Sequence, residues 1–226
     1  MQQIAPVTVF SRKLAVPGVI VLCFLAFPHA LSATEANEAH QHIGHVMDAW
    51  QATPDRTGLL SAAEQEAQIA LRHAGFAIAG PEDIAAIKLH TRHVLHAIDP
   101  RVEGSGPGKG FGVLRASAAT IAHIKLAAKS ADASRNVLTH AKHVEASADN
   151  VVSWCRRIIN LGRRVGETPD AVTAYAIATE IRALLGNIVN GRDANGDGTI
   201  SWGEDEGGLK QLREHMSYMK SGEGLM

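Results

Sequence analysis

Val137, Ala141, Val144, Ala148, Val151, Cys155, Ile158, Gly162 and Val165 recur at alternating steps of four and three. That spacing puts them all on one side of a helix and predicts a long helix from about Ser134 to Val165, packed along a bundle seam. The small members of the stripe let a neighbour come close. Other segments read the same way. A first helix spans about 34–50, with Ile43, Val46, Met47 and Trp50 on one face, and Thr53-Pro54 ends it. A second spans about 61–79, with Ser61 as its cap and Glu64 completing a capping box. Pro81 opens a third, which ends at Asp99-Pro100, and a fourth covers 113–129. Thr168-Pro169 opens a sixth. No segment sustains period-two alternation, and aromatic residues make up only 4% of the chain. The expectation is an all-α protein built as an antiparallel helical bundle. The glycine-rich stretch 103–112 has no strand before it and lacks the spacing of a phosphate loop. It reads as a mobile linker.

Beyond the sixth helix the chain changes character. Asp193-Ala194-Asn195-Gly196-Asp197-Gly198-Thr199-Ile200-Ser201-Trp202-Gly203-Glu204 sets oxygen donors at alternate positions around one glycine. Ca²⁺ is a hard cation that takes six to eight oxygens. Asp193, Asn195 and Asp197 offer side-chain oxygens and Thr199 its backbone carbonyl. Ser201 stands where a ligand often acts through water, and Glu204 closes the set with two oxygens. Gly198 falls at the sharp turn. Leu185, Ile188 and Val189 share a face before the loop, and Leu209 and Leu212 share one after it. From about Asp170 to Tyr218 the chain resembles a single EF-hand, helix-loop-helix, at the C-terminal end of the bundle. The Asp-x-Asn-Gly-Asp-Gly run also resembles half of a dockerin repeat, but Glu204 and the long incoming helix favour the EF-hand. Asp205 and Gly208 depart from the apolar pattern of an outgoing EF-hand helix. The resemblance implies a structural calcium site, and its unpaired state implies a homodimer through the EF-hand as one partner arrangement.

The N-terminus carries an address. Arg12 and Lys13 precede an apolar run from Leu14 to Phe27, and small residues follow at Ala30, Ser32 and Ala33. This is the pattern of a secretory signal peptide cleaved near Ser32 or Ala33. It predicts a periplasmic or secreted protein with no stable membrane span after cleavage. Three segments follow from this reading: the signal at 1–33, a histidine-rich helical bundle at 34–168, and the EF-hand with a C-terminal tail at 169–226. The whole chain carries a net charge of −1, and losing Arg12 and Lys13 with the signal leaves −3. No basic patch points to nucleic acid. Only Cys155 remains after cleavage, so no internal disulfide is expected.

Histidine is the second unusual feature. Eleven of the 12 lie outside the signal. They group as His40, His42 and His45, then His90, His93 and His96, then His140 and His143, while His73, His123 and His215 stand alone. Three helices thus carry a His-x-x-His step. Residues three apart on a helix are neighbours, so the pairs His42/His45, His90/His93 and His140/His143 are candidate ligands for a second metal. Imidazole suits Cu, Ni, Zn or haem iron rather than Ca²⁺. By angle, His42, His90 and His140 border the apolar faces. His45, His93, His96 and His143 turn toward solvent unless another helix covers them. The rival to a calcium protein is therefore a periplasmic transition-metal or haem-binding bundle, a carrier or scavenger.

An enzyme is not expected. There is no Glu-x-x-His step for a di-iron centre, no His-Glu-x-x-His motif and no Gly-x-Ser-x-Gly elbow. Glu64, Glu66, Glu145 and Asp149 read as solvated charges, Cys155 as a buried inert thiol, and Trp50, Trp154 and Trp202 as packing residues.

Overall fold

A computed structural model describes residues 1–3, 5, 8 and 37–225. The segment read as a signal peptide, with Arg12, Lys13 and the expected cleavage region, lies outside the described residues apart from those few positions. The described chain is all-helical: α1 (Glu38–Met47), α2 (Leu59–Ala77), α3 (Ile84–Ile98), α4 (Val113–Lys129), α5 (Arg135–Glu167), α6 (Ala171–Asn190) and α7 (Leu209–Gly222), with a short 3-10 turn at Pro54–Arg56.

Side-chain caps set several of the starts. Asn37 accepts from His40 N, Asp83 from Ala86 N, Ser134 from Val137 N and Asp170 from Thr173 N. Each satisfies one of the orphan N–H groups of a first turn. Ser61 does not cap α2. The helix begins two residues earlier, after Gly58, because Leu59 and Leu60 are both fully buried and extend its apolar face.

At 33 residues, α5 is about 50 Å long. It packs against α3, α4, α6 and α7. The whole stripe from Val137 to Val165 is buried. Its small residues act as expected at Gly162, where an added Cβ would lie 2.7 Å from Leu95 Cδ2 of α3. α6 is the one helix among the described residues long and apolar enough to cross a membrane. Ile177, Ile181, Leu184, Leu185 and Ile188 are instead buried in the core, which accounts for its hydropathy. Residues 36–226 form one compact unit, and α6 and α7 share the core of the other helices.

The glycine-rich stretch between α3 and α4 is held rather than loose. Glu66 of α2 is 1% exposed, and its carboxylate accepts three backbone N–H groups. Oε1 takes those of Phe111 at 2.9 Å and Gly112 at 3.1 Å, and Oε2 takes that of Lys109 at 3.0 Å. His96 Nδ1 accepts Gly108 N at 3.0 Å. The mobile linker and the solvated Glu66 expected from sequence are both corrected here. A buried carboxylate satisfies the turn's N–H groups, which would otherwise need water. Glu64 pairs with Arg213 of α7, and Glu145 with Lys125 of α4 at 2.7 Å.

Candidate metal centres

Packing of α1 on α4 brings His42 and His45 to His123. Packing of α2 on α3 brings His73 to His90 and His93. Packing of α5 on α7 brings His140 and His143 to His215. Each centre is thus a His-x-x-His pair from one helix completed by one histidine from another. In every case the ring nitrogens that meet are Nδ1. They lie 3.0 and 3.4 Å apart at His42–His123 and His45–His123. The separations are 3.1 and 3.2 Å at His73–His90 and His73–His93. They are 3.2 and 3.3 Å at His140–His215 and His143–His215.

The three-way convergence, more than the separations, fits a metal better than hydrogen bonding. Zn–N bonds of about 2.0–2.1 Å in a tetrahedron place ligand nitrogens about 3.3–3.4 Å apart. A neutral imidazole nitrogen carries either one proton or one in-plane lone pair. His123, His73 and His215 each face two partners with that single nitrogen, so one hydrogen bond leaves the third ring unserved. A cation accepts all three lone pairs at once. A bis-histidine haem would need its two axial nitrogens on opposite sides of the iron, which three nitrogens meeting at one point do not provide.

Aromatic side chains steady the rings. Trp50 meets His45 and His123 edge-on, both at 4.6 Å between centroids. Phe76 lies 5.3 Å from His73 and 5.2 Å from His90. Trp202 stacks on His143 at 4.1 Å and 15°, and Tyr218 lies 5.6 Å from His140. Trp50 and Trp202 therefore pack, as expected, but against the clustered histidine rings.

The electrostatics favour the neutral form at seven of the nine rings. Burial pushes His123 down to about 4, helped by His45 and His42. Burial likewise pushes His215 down to about 4, with His143 and His140 adding to the shift and Glu214 opposing it. His45, His73, His93, His140 and His143 are lowered as well, burial first in each case. A neutral imidazole is the form that binds a metal.

Both members of each sequence-predicted pair point into a centre. His45, His93 and His143, which helical angle alone turned toward solvent, are covered by α4, α2 and α7. His96 is 7% exposed, covered by the 103–112 turn. Sequence reasoning left His73, His123 and His215 as singletons. One interval is shared, His73 preceding His90 and His123 preceding His140 by 17 positions, but only the first of these pairs lies in one centre. His40 is bonded to Glu223 at 3.0 Å and belongs to no centre. Cys155 is fully buried, and burial pushes its thiol well up, away from the thiolate form.

No protein-family description, curated protein or solved structure matches this chain.

The loop from 191 to 208 joins α6 to α7. Asp193 accepts Gly196 N through Oδ1 at 2.6 Å and Gly198 N through Oδ2 at 2.9 Å. Asn195 Oδ1 accepts Asp197 N, and Asp197 Oδ1 accepts Thr199 N, both at 2.8 Å. Gly198 has φ +86°, a conformation that penalises a Cβ. Asp193, Asn195, Asp197 and Thr199 thus share one tight turn. Ser201 turns elsewhere: its N and Oγ donate to Glu206 Oε2 at 3.0 and 2.6 Å. Glu206 is 4% exposed, whereas Glu204 is exposed and lines a shallow cleft with Asp149 and Asn150 of α5. The outgoing helix starts at Leu209. Asp205 at φ +63° and the glycine pair Gly207-Gly208 keep 205–208 out of it. The groups of potential ligands that converge among the described residues are the three histidine sets, and the loop carboxylates form no such group.

Proposed function

We propose that this protein binds three first-row transition-metal ions, one at each histidine triad, and serves as a carrier or store for them. One observation carries the reading: nine imidazoles meet in three separate sets, each through Nδ1, at the spacing of metal-bound nitrogens. All-nitrogen sites favour Zn²⁺, Cu²⁺ or Ni²⁺ over Ca²⁺ or Mg²⁺. Half-buried ligands suit exchange better than permanent capture. What supports an exported location is the N-terminal sequence, a basic pair followed by an apolar run and small residues. The test is native mass spectrometry of metal-free protein titrated with Zn²⁺. Three ions should bind, and His73→Ala, His123→Ala or His215→Ala should each leave two. Uptake of one ion or none, or a count untouched by these substitutions, would refute the reading.

A calcium site in the 193–204 loop is a second reading, favoured by the tight turn that gathers Asp193, Asn195 and Asp197. Calcium there would clip α6 to α7 and act structurally. Added Ca²⁺ should raise the unfolding midpoint of the wild type and not that of Asp193→Asn. Equal protection of both proteins would count against it.

A further inference from the structure

We propose that each loaded triad leaves one coordination position to a ligand the protein does not supply, and that water or a small anion occupies it. The inference rests on the transition-metal reading above.

Among the described residues, each convergent group contains three imidazole nitrogens and no fourth His, Cys, Asp or Glu donor. The spare histidines nearest in sequence are committed elsewhere. His96, one turn beyond His93, is buried and accepts Gly108 N. His40, two residues before His42, is bonded to Glu223. Tyr218, beside the third centre, donates its hydroxyl to Glu214 Oε1 at 2.7 Å. The other flanking rings, Trp50, Phe76 and Trp202, offer no ligand lone pair. Cys155 is fully buried among apolar residues of α5.

Zn²⁺, Co²⁺ and Cu²⁺ take at least four ligands in nitrogen and oxygen sites, so a His₃ set is incomplete by itself. Sites with three protein ligands are those that keep a position for water or substrate. All nine imidazoles are half-buried, which leaves solvent a route to the ion. Cationic side chains act at the second and third centres, and at the third an acidic one offsets them. Arg72 acts electrostatically on His73, and Lys142 on His143. Arg92 also acts on His93 but is paired with Glu103, and Glu214 opposes at His215. Exchange is a simple substitution: an anion enters, the bound water leaves, and no bond in the protein changes. A loaded triad is then a Lewis-acid centre for a small anion or for the anionic donor of an incoming acceptor.

The test is the visible spectrum of the Co²⁺-loaded protein titrated with sodium azide. The cobalt bands should shift and saturate near three azides per chain, matching the three triads. His73→Ala, His123→Ala and His215→Ala should each remove about one-third of the azide-sensitive absorbance, since each opens one His₃ set. Cobalt uptake with bands indifferent to excess azide would overturn the open position and leave the metal sites standing. Failure to take up cobalt at all would overturn the metal reading and this inference with it. The wild-type titration decides the point by itself should a variant lose its helicity.

Discussion

His123 is half-buried and faces His42 and His45 with a single ring nitrogen, and its burial first, then that crowding, has a pH consequence. Its folded value of about 4, like that of His215, lies below the ordinary 6.5. The unfolded chain therefore binds more protons between those two values. Metal-free protein should be at full stability above about pH 7 and lose it as pH falls through 6.5 toward 4. A urea midpoint that is flat across that window would contradict the assignment, as would one that rises on acidification. The same residues mark what was legible in sequence. A pair three apart shares a face by helix geometry alone, so the His-x-x-His pairs could be read directly. The third histidine comes from another helix, and no local spacing says which. The 17-residue interval illustrates the trap: His73 completes the pair that follows it at that distance, but His123 completes the pair of α1 instead.

Among the elements, α5 and the turn before α4 carry the most specific expectations. Glu66→Ala would strip three buried or half-buried backbone N–H groups of their acceptor. Each unsatisfied buried donor costs about 1–3 kcal/mol, so a clear fall in Tm is expected, with the helix content kept. A Tm within error of wild type would mean that water replaces the carboxylate. At the other end of the molecule, Trp202 reports on the third centre through its stack with His143. Zn²⁺ should change tryptophan emission in Trp50→Phe protein, and His215→Ala in that background should abolish the change. Emission that still responds to zinc in the double variant would detach Trp202 from the site. The α5 stripe and the bounds of α4 were readable because their apolar periods are long and unbroken. The holding of 103–112 was not, because it depends on Glu66, a charged residue whose burial follows only from how α2 and α3 pack. α7 starts at Leu209, the first residue read on the outgoing helix's apolar face, because Asp205 and two glycines hold 205–208 out of it.

For the whole molecule, the centres tie together helices distant in sequence. The first links α1 to α4 and the third links α5 to α7, while the second closes the α2–α3 hairpin. An ion that binds the folded chain alone stabilises it by about 2.7 kcal/mol per site at a hundredfold excess over Kd. Zinc should therefore raise Tm, and a chelator should return it to the metal-free value. A Tm that zinc leaves unchanged would mean the triads form only loosely. The all-α class was readable from composition and period. The single core shared by α6, α7 and the other helices was not, because nothing in the linear pattern says which apolar faces meet.

The most direct measurement is anomalous diffraction at the zinc edge from crystals grown with Zn²⁺. The account predicts three peaks per chain, each about 2.0–2.1 Å from three Nδ1 atoms of one triad, with a non-protein ligand completing the shell. Peaks confined to the surface, to a single triad, or to the 193–204 loop would contradict it.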